Sequence, residues 1–570
     1  FLCIHHRLPA TTVYERVAAW SGLLFSPTLP PQLPAELAIE RVSGLGEIKS
    51  VRATLEGRDL LFTSPGLTQI LHIKEQLRQQ PSLTQRICLI PPAALRAGLT
   101  DRAAPLLLDE SRTRLPRLWP HASAHLDLTI GVRIGFVMGL LVAVLLAALT
   151  PWFLQPLLVP FLAFVLLVPA GLRLFAAISS VKRGEAVPPP RIADQDLPTY
   201  TILIALRDEA NMVPQLVAAM RRLDYPAEKL DIKFVVESSS RTTLEAVARE
   251  LADARFELVI VPEASPQTKP KALNYALPLA RGQFLVIYDA EDIPQSDQLR
   301  RAIDHFAAEP GLDCIQAELV VDNAGENWLT ALFAGEYAGQ FGLLLPALAR
   351  WRMPMPLGGT SNHFRLQSLR EVGGWDAFNV TEDADLGVRL KRLRYRTGTF
   401  ASRTYEEAPI SLGPWMRQRT RWMKGWMQTF IVHNSRPREF LRAIGLRNFL
   451  IFQAYVGGMI LSAPLHSVFA VVLGLRLATG MGTGFTLGDP WGLFQILILV
   501  AGYGAAFTIA TLGMLRLRLR SLLGWQLLLP IYWLLTSWAS MRALFQLVRS
   551  PYVWEKTPHG LTRFARGTEK

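Results

Sequence analysis

Long stretches without charge alternate with mixed segments along this chain. No charged residue occurs in residues 134–172. At about 1.5 Å per helical residue, this stretch covers roughly twice the thickness of a bilayer's hydrocarbon core. The pattern therefore predicts two membrane spans, broken near Thr150-Pro151. Three further uncharged stretches that are long enough to be examined as spans are residues 448–475, 490–515 and 521–541.

Arginines at the ends of these stretches predict their orientation. Arg133 and Arg173 flank the first pair, and three arginines between residues 516 and 520 separate the last two stretches. Because basic residues favour the cytoplasmic side, both flanks and the arginine loop are expected there. Two topologies follow. In the first, the last stretch, interrupted by Pro530, lies at the interface or re-enters, and the basic tail from Arg542 is cytoplasmic. In the second, all five stretches cross the membrane.

The segments between the apolar stretches divide the chain into domains. The first is a small α+β region in which short apolar runs at 59–62 and 87–90 predict strands, residues 67–77 predict a helix, and no long helix pattern is present. A proline-rich linker covers residues 183–197. The predicted domains are the N-terminal module 1–125, two transmembrane helices 130–178, a soluble domain 198–445, C-terminal transmembrane or interfacial helices 448–546 and a tail 550–570.

The soluble block alternates between two patterns. Apolar, β-branched runs predict strands at residues 200–206, 232–236, 258–261, 284–288 and 314–321. Helical patterns lie between them, at residues 212–223, 242–251, 271–279 and 298–308. This alternation predicts right-handed βαβ units and a mostly parallel sheet. Ligands of such sheets bind beyond the carboxyl ends of the strands.

Composition and charge limit the classes of protein to which the chain can belong. Of 570 residues, 50% are apolar and 19% charged, which excludes a disordered chain and an average soluble enzyme. The 3 cysteines are far apart, which excludes a disulfide scaffold and a cysteine zinc site. The start of the chain shows no charged segment followed by a cleavage site, so no secretory signal is predicted. The basic residues behind the net charge of +13 cluster beside the apolar stretches, which suits anionic lipid and not nucleic acid.

Carboxylates gather where the fourth predicted strand ends. Asp289, Glu291 and Asp292 follow directly after residues 284–288. Such carboxylates repel one another unless a cation lies among them. Their hard oxygens suit Mg²⁺ or Mn²⁺, usually shared with substrate phosphates. The alternative is an acidic turn that caps the next helix.

Two later segments combine charge with special positions. Glu382 and Asp383 follow Thr381 at the start of a helical pattern, either as residues that favour the helix dipole or with Asp383 as a general base. In a basic aromatic segment, Arg421 could pair with diphosphate oxygens and Trp422 could stack on a sugar. The alternative for that segment is an amphipathic helix on anionic lipid.

Weaker signals lie near these segments. Lys269 and Lys271 either meet phosphates or are solvated. The glycine-rich residues 357–363 either line an acceptor site or form a plain loop. His363 has no partner histidine at metal-ligand spacing, so a zinc site is rejected.

The order of these segments is more specific than any one of them. An acidic strand end, a Thr-Glu-Asp triplet 94 residues later, Gln418-Arg-Thr-Arg421-Trp422 and apolar stretches follow one another. In this order the chain, over about residues 130–560, resembles the membrane-integrated family 2 glycosyltransferases. That group includes bacterial cellulose synthase catalytic subunits, hyaluronan synthases and related β-glucan synthases.

The resemblance implies a GT-A domain inserted between transmembrane helices, a nucleotide-activated sugar such as a UDP-sugar, Mg²⁺ or Mn²⁺, and inversion at the anomeric carbon. It implies that Asp289 and Glu291 hold the metal and diphosphate and that Asp383 is the base. Residues that it implies for binding donor or acceptor are Glu237, Lys269, Asn274, Glu382, Gln418, Arg421, Trp422, and Thr557 and His559 in a tail similar to the family's gating loop.

Two positions depart from the family pattern. Glu291 stands where an aspartate is usual, and residues 237–240 replace a pair of aspartates, one of which helps to hold uridine. Glu237 is the only acid there. Either Glu237 and the serine hydroxyls hold the nucleoside, or the donor differs, or binding is weak.

The N-terminal residues 14–23 are similar to N-terminal modules of type II secretion ATPases, some of which bind cyclic di-GMP. A regulatory cyclic di-GMP site or an export partner is therefore an open expectation. The function expected is an inverting, metal-dependent glycosyltransferase that elongates a polysaccharide at the cytoplasmic face of a bacterial inner membrane. Transfer of one sugar to a lipid carrier is an alternative. Another is a catalytically weak scaffold or cyclic-nucleotide receptor.

Overall fold

The structure is a computed structural model. It describes residues 3, 6, 8–30, 42–55, 57–149, 155–181, 189–478, 490–557 and 560–562. The helix break predicted near Thr150-Pro151, the first part of the proline-rich linker (residues 183–188) and His559 lie outside these residues.

The N-terminal module is a small α+β unit whose described strands form one sheet in the order β1-β4-β3-β2. Its elements are α1 (Ala10–Ser21), β1 (Leu24–Phe25), β2 (Ser50–Leu55), β3 (Arg58–Thr63), α2 (Leu67–Gln79), β4 (Ile87–Leu89) and α3 (Pro92–Leu118). Both predicted strands and the predicted helix are present. The likeness to secretion ATPase modules stays a prediction.

The expectation that this module lacks a long helix was wrong. Helix α3 has 27 residues and buries Leu95, Leu99, Ala103 and Leu107. These residues are four apart and form only a narrow apolar stripe among polar positions. Pro105 interrupts the pattern further, so the periodicity was too weak to recognise in the sequence.

Apolar helices connect the module to the larger domain. They are α5 (Ile130–Leu149), α6 (Gln155–Leu162) and α7 (Val168–Val181), preceded by the short α4 (Ala124–Asp127). A π-helical turn joins α6 to α7. The predicted pair of spans therefore corresponds to helices.

The larger domain contains an eight-stranded mixed sheet in the order β7-β6-β5-β8-β11-β10-β12-β9. Its strands are β5 (Tyr200–Leu206), β6 (Leu230–Glu237), β7 (Phe256–Val261), β8 (Phe284–Tyr288), β9 (Ile293–Pro294), β10 (Cys314–Val321), β11 (Asn362–Arg365) and β12 (Thr397–Glu406). Strands β5 to β8 are parallel, and β11 runs antiparallel between β8 and β10. This α/β arrangement confirms the expected fold class.

Strands β11 and β12 were not predicted from the sequence. Strand β11 has only four residues, three of them polar, and β12 alternates buried and exposed positions. Neither strand presents the continuous apolar run by which the other strands were recognised. The five predicted strands are all present.

Helices cover both faces of this sheet. They are α8 (Val213–Arg221), α9 (Arg241–Ala248), α10 (Lys269–Ala276), α11 (Gln298–Ala308), α12 (Trp328–Gly339), α13 (Leu345–Arg350), α14 (Leu366–Glu371), α15 (Glu382–Arg392) and α16 (Leu412–Asn434). Strands β6, β8 and β10 are buried along their whole length. These three strands therefore form the buried centre of the domain.

The C-terminal helices are α17 (Pro437–Phe452), α18 (Gly458–Ala478), α19 (Pro490–Arg516) and α20 (Leu529–Arg549). By length and composition, five helical segments among the described residues could cross a membrane: Ile130–Ala147, Leu157–Ser180, Pro437–Val471, Leu493–Arg516 and Arg520–Arg549. The apolar stretches found in the sequence correspond to these five segments.

Helix α20 lies along α16 and contacts the sheet domain at both ends. Near its start, the Tyr532 hydroxyl donates to Glu336 at 2.9 Å. Near its end, Gln546 accepts from Lys424 on α16 at 3.2 Å. The last apolar stretch therefore begins and ends against the same domain.

Candidate active site

A cavity of about 270 Å³ opens at the carboxyl ends of β5, β6 and β8. The residues that line it include most of the residues singled out in the sequence. Those are Glu237, Lys269, Asp289, Glu291, Glu382, Asp383, Gln418, Arg421, Trp422 and Thr557. Segments from six separate parts of the chain thus meet at one site.

A buried carboxylate, that of Asp292, forms a hydrogen bond with the backbone at the acidic end of β8. Asp292 accepts hydrogen bonds from the Asp289 backbone N–H at 2.6 Å and from the Thr360 hydroxyl. Its Oδ1 has no hydrogen-bond partner among the described residues. Burial, and then the charges of Asp289 and Glu291, raise the pKa of Asp292 well above its usual range. Asp292 is therefore driven toward its protonated form beside the two carboxylates that line the cavity.

Lys269 partly neutralises this charge. It begins α10, and its ammonium contacts Asp289 and donates to the Gly359 carbonyl at 2.7 Å. Burial would lower the pKa of Lys269, but the charges of Asp289 and Glu382 outweigh burial and raise it. The lysine is therefore a fixed cation at the rim of the acidic site.

The carboxylates fit a divalent cation that a substrate completes. Among the described residues, no group of three or more His, Cys, Asp or Glu is arranged to hold a metal alone. Asp289 and Glu291 both line the cavity, and Mg²⁺ commonly binds one or two carboxylates together with substrate phosphates. The pKa of Asp292 is raised, and its Oδ1 has no hydrogen-bond partner among the described residues. Lys269 alone therefore does not neutralise the carboxylates at this strand end.

Asp383 and Asp289 converge on Gly359. A Cβ added to Gly359 would lie 3.3 Å from Asp383 Oδ2 and 3.8 Å from Asp289 Oδ2. Asp383 lies in the first turn of α15, where the Ala384 N–H donates to its Oδ1 at 2.7 Å. Two carboxylates that are 94 residues apart in the sequence therefore face the same small space, which a side chain at Gly359 would occupy.

Burial changes the protonation of the neighbouring carboxylates Glu382 and Asp383. It raises the pKa of Asp383, while Lys269 and Arg421 act in the opposite direction. Burial, together with the charge of Asp383, raises the pKa of Glu382 to about 8. A carboxylate with a raised pKa is a better proton acceptor than a solvated one.

Arg421 and Trp422 reach the cavity from α16. Arg421 Nη1 donates to the Val380 carbonyl at 3.4 Å, beside the Glu382–Asp383 turn. Its guanidinium lies 5.0 Å from the ring centroid of Trp554. Trp415 and Gln418 on the same helix are buried, so the lipid-surface alternative for this segment does not agree with the structure.

Arg419 and its partner Glu336 were not predicted from the sequence as site residues. Arg419 forms two hydrogen bonds of 2.7 Å with the two carboxylate oxygens of Glu336, and a third with the Tyr532 hydroxyl. Its guanidinium also lies 4.8 Å from the centroid of Trp422. The three-residue spacing of Arg419 and Trp422 on one helix was the available signal. Glu336 lies in an apolar helix with no motif around it.

At the end of β6, Glu237 does not point freely into the cavity. Its carboxylate is 2.9 Å from the Lys271 ammonium, and Lys271 is fully buried. Burial raises the pKa of Glu237, although Lys271 opposes this. Ser240 bonds Asp208, and the serines 238–240 are absent from the cavity lining. Neighbours that the sequence analysis missed are Arg207, Glu209 and Gln267.

The structure does not bring Asn274 to the cavity, contrary to the prediction. Its amide donates to the Trp375 carbonyl at 2.7 Å and to the Ser111 carbonyl at 3.0 Å, and it accepts from the Trp375 N–H at 3.0 Å. These bonds use both ends of the side chain. Asn274 therefore joins α10 to α3 and to the loop before α15.

The C-terminal tail covers one side of the cavity. Trp554, Lys556 and Thr557 line it. The Lys556 ammonium lies 3.3 Å from Glu209. Farther on, the backbone N–H groups of residues 560–562 donate to the Glu407 carboxylate at 2.7–3.0 Å. The tail thus borders the cavity at residues 554–557, its likeness to a gating loop stays a prediction, and His559 lies outside the described residues.

A second cavity of about 180 Å³ adjoins the first. It lies among α7, α12, α18, α19 and α20. Residues that line both cavities are Glu336, Gln340, Arg419, Met423, Tyr455 and Met459. The first cavity therefore opens toward the apolar helices on the side of Arg419.

Comparison with known proteins identifies the domain type. The family model "Glycosyl transferase family 2" matches residues 201–361, and "Glycosyl transferase family group 2" matches residues 284–554. The chain is 25% identical over 269 residues to a beta-monoglucosyldiacylglycerol synthase of Synechocystis sp., covering 45% of this chain and 54% of that protein. It is 26% identical over 252 residues to cellulose synthase 2 of Novacetimonas hansenii, covering 43% of this chain and 15% of that protein.

Among solved structures, the chain is similar to the mannosyltransferase PcManGT from Pyrobaculum calidifontis in complex with GDP-Man and Mn²⁺. The identity is 19%, the TM-score is 0.39, and the match covers 66% of this chain and 98% of that one. The chain spans about half the length of curated relatives that it matches.

Proposed function

Because residues 201–554 carry family 2 glycosyltransferase domains, we propose that this chain is an inverting, metal-dependent glycosyltransferase. It moves a sugar from a nucleotide-diphosphate donor onto a growing polysaccharide at the cytoplasmic face of the bacterial inner membrane. The observation that carries the proposal is the meeting of Asp289, Asp383 and Arg421 at one cavity.

Asp383 is the general base of this reaction. The acceptor hydroxyl attacks the anomeric carbon on the side opposite the leaving diphosphate, and its proton passes to the Asp383 carboxylate. The raised pKa of Asp383 supports this role, because it strengthens the carboxylate as a base. Inversion follows from a single in-line displacement.

The leaving diphosphate meets cations on two sides. Lys269 lies at the acidic strand end and Arg421 beside the Glu382–Asp383 turn, so both can pair with phosphate oxygens as charge develops on them. Asp289 and Glu291 would hold Mg²⁺ or Mn²⁺. When bound, such an ion neutralises diphosphate charge.

The nucleoside and the acceptor occupy opposite ends of the cavity. Glu237, Arg207 and Gln267 surround the end near β6, where a UDP-sugar or another nucleotide donor would lie. Gln418 and Trp422 lie at the other end, and the aromatic face of Trp422 suits a sugar ring. The second cavity continues from there toward the apolar helices, which supports an acceptor path between them.

The geometry of α20 supports a cytoplasmic tail. Both ends of this helix contact the sheet domain, and the tail lines the same cavity as the β8 carboxylates. A last stretch that lies at the interface keeps these contacts and places the sheet domain, the arginine loop and the tail on one side of the membrane.

Replacing Asp383 by Asn tests the base. Because general-base catalysis contributes about 10²–10⁴-fold, D383N should lose transfer of labelled sugar in membranes by at least about 10²-fold while donor binding persists. The matched control is D109N, an exposed aspartate of α3. Removal of divalent ions from the wild type should abolish transfer, with recovery on adding Mn²⁺. Unchanged transfer in D383N would contradict the proposed role.

A second candidate function is the addition of one sugar to a lipid acceptor. The observation in its favour is the second cavity, whose lining is largely apolar and lies among the candidate spans. Sizing of labelled product separates the two functions: a ladder supports polysaccharide elongation, and a single added sugar supports the lipid acceptor.

A role as a scaffold or cyclic-nucleotide receptor is a candidate from another class. The Glu237–Lys271 ion pair favours it, because the carboxylate that would hold a nucleoside is already paired. Calorimetric titration of the full chain with nucleotide sugars and Mn²⁺, and separately with cyclic di-GMP, decides the matter. Binding of a nucleotide sugar supports the enzyme, and binding of cyclic di-GMP alone supports the receptor.

A further inference from the structure

Arg173 gives the second cavity a positive charge that the described residues do not balance. It is the arginine of α7 that lines this cavity. No carboxylate among the described residues lies within 4.0 Å of its guanidinium. The neighbouring acid, Glu336, is already bonded twice by Arg419 at 2.7 Å and once by the Tyr532 hydroxyl at 2.9 Å. The Arg173 guanidinium is therefore not neutralised by Glu336, which Arg419 already pairs.

The rest of the cavity wall is mostly apolar. Arg173 lies among side chains such as Val165, Leu166, Ile509 and Ala510. An unpaired charge beside apolar walls is costly, and in a membrane segment it commonly marks a ligand site. A wall of this kind, with an arginine that has no carboxylate at ion-pair distance among the described residues, suits an amphiphile with an anionic head.

The position of Arg173 along α7 suits a headgroup. It lies six residues, or about 9 Å, before Ser179, whose hydroxyl accepts from Arg350 of the sheet domain at 3.0 Å. Phe175 and Ile178, two and five residues after Arg173, have exposed fractions of 68% and 53%. At about 100° per residue, both positions lie on the side of α7 away from Arg173, so the arginine faces the cavity while the outer face of the helix is apolar.

The second cavity is also close to the reacting groups. It shares Arg419, Gln340 and Met423 with the cavity that contains Asp383. An amphiphile held at Arg173 therefore has its polar end directed toward the acceptor side of that cavity. We propose that Arg173 binds the phosphate of a lipid acceptor, so that the second cavity is the lipid-phosphate site of this glycosyltransferase. The inference rests on the second candidate function, addition of a sugar to a lipid acceptor, and names phosphate as the headgroup of that acceptor.

Binding of labelled dodecyl phosphate to the purified full chain tests this assignment. The wild type should bind it, and R173Q should bind about ten- to hundredfold more weakly, as expected for loss of a charged hydrogen bond. R173K should keep most of the binding. The matched control is R442Q, which removes the same charge from an exposed position of α17 outside both cavities. Equal binding by wild type and R173Q would overturn the proposal.

Further arms identify the source of the anion and guard against misfolding. Dodecanol and inorganic phosphate should bind much more weakly than dodecyl phosphate. Stronger, Arg173-dependent binding of inorganic phosphate or of a hexuronate oligosaccharide would overturn the lipid assignment. A510F, which fills the cavity without changing its charge, should also lose the probe, and retained binding there would overturn the location.

The binding assay is independent of catalysis. D383N should bind dodecyl phosphate as the wild type does, although it transfers no sugar. Failure of transfer with intact, Arg173-dependent binding would refute the proposed function alone, whereas intact transfer without such binding would refute this inference alone.

Discussion

At the scale of single residues, the site depends on where charge is left uncompensated. Asp289 and Asp383 both approach Gly359, and Lys269 bonds the carbonyl of that same glycine. A side chain at Gly359 would intrude at 3.3 Å from Asp383. The glycine therefore keeps open the space in which the donor's diphosphate and sugar would lie between the two acids.

Replacing Arg421 by Lys should lower kcat by about tenfold to 10²-fold, because lysine keeps the charge but not the planar, two-pronged contact with phosphate. The measurement is initial transfer rate against donor concentration. R417K, one turn earlier on α16 and outside the cavity lining, is the control and should stay within about twofold. A normal kcat for R421K would argue against a phosphate contact.

At the scale of elements, α16 and the turn before α15 are in direct contact. A Cβ at Gly425 of α16 would lie 2.2 Å from the Thr381 hydroxyl oxygen. G425A should therefore displace the turn that carries Asp383 and lower the transfer rate by about 10–10²-fold, as expected for a misplacement of about 1 Å. Nucleotide binding should change little, which calorimetry can check.

The same helix supplies the control for that prediction. At Gly413, near the start of α16, a Cβ would meet only the Arg417 side chain, at 3.9 Å. G413A should transfer sugar at a rate within about twofold of the wild type. Equal losses in G413A and G425A would show that helix stability, and not the contact with Thr381, is responsible.

Asp376 links α4 to the loop that precedes α15. It accepts from the Ala124 N–H at 2.6 Å and from the Phe378 N–H at 3.0 Å. Burial, and then the charge of Asp385, raise the pKa of Asp376 to about 7. Because this pKa exceeds that of the unfolded chain, stability from the protonated carboxyl is complete below about pH 4 and is lost as the pH rises through about 7.

D376N should therefore flatten the dependence of stability on pH. Its thermal midpoint should fall less between about pH 5 and about pH 8 than that of the wild type, in which up to about 4 kcal/mol is lost over the titration. D59N, at an exposed strand position, should titrate like the wild type. Identical slopes in D376N and the wild type would contradict the prediction.

At the scale of the whole molecule, the N-terminal module packs against the back of the sheet domain. Arg96 of α3 forms hydrogen bonds of 3.0–3.2 Å with both oxygens of Glu257, which also lies 3.0 Å from Lys233. Helix α3 further contacts α10 through Asn274. The module thus touches the helix that begins with Lys269, although it contributes no side chain to the cavity lining.

R96A should lower the free energy of unfolding by about 1–3 kcal/mol, because it leaves Glu257 without one of its buried partners. Thermal unfolding in detergent is the measurement, and the transfer rate below the transition should be unchanged. R78A, which removes an exposed pair with Glu75, should change stability by less than about 1 kcal/mol. A large loss of transfer in R96A would instead indicate that the module controls the site.

The prediction of this fold from sequence succeeded where the pattern was local. Strands β5, β8 and β10 were predicted with their observed bounds, because strands buried on both faces read as continuous apolar runs. Strand β12 and helix α3 were missed because each buries a single narrow face. Asn274 was assigned to the substrate by its motif, but its bonds to Trp375 and Ser111 depend on distant segments.

The sequence by itself determined the identity of the acids and bases, the apolar segments and the order of the motifs, since these depend on residue type and short-range periodicity. Only the tertiary structure decided which of them meet: that Asp289 and Asp383 share a cleft, that Glu237 is bonded to Lys271, and that Arg173 has no carboxylate at ion-pair distance in the part of the chain that the structure describes. The physical reason is that charge balance and burial depend on distances between segments far apart in the chain, and packing alone sets those distances.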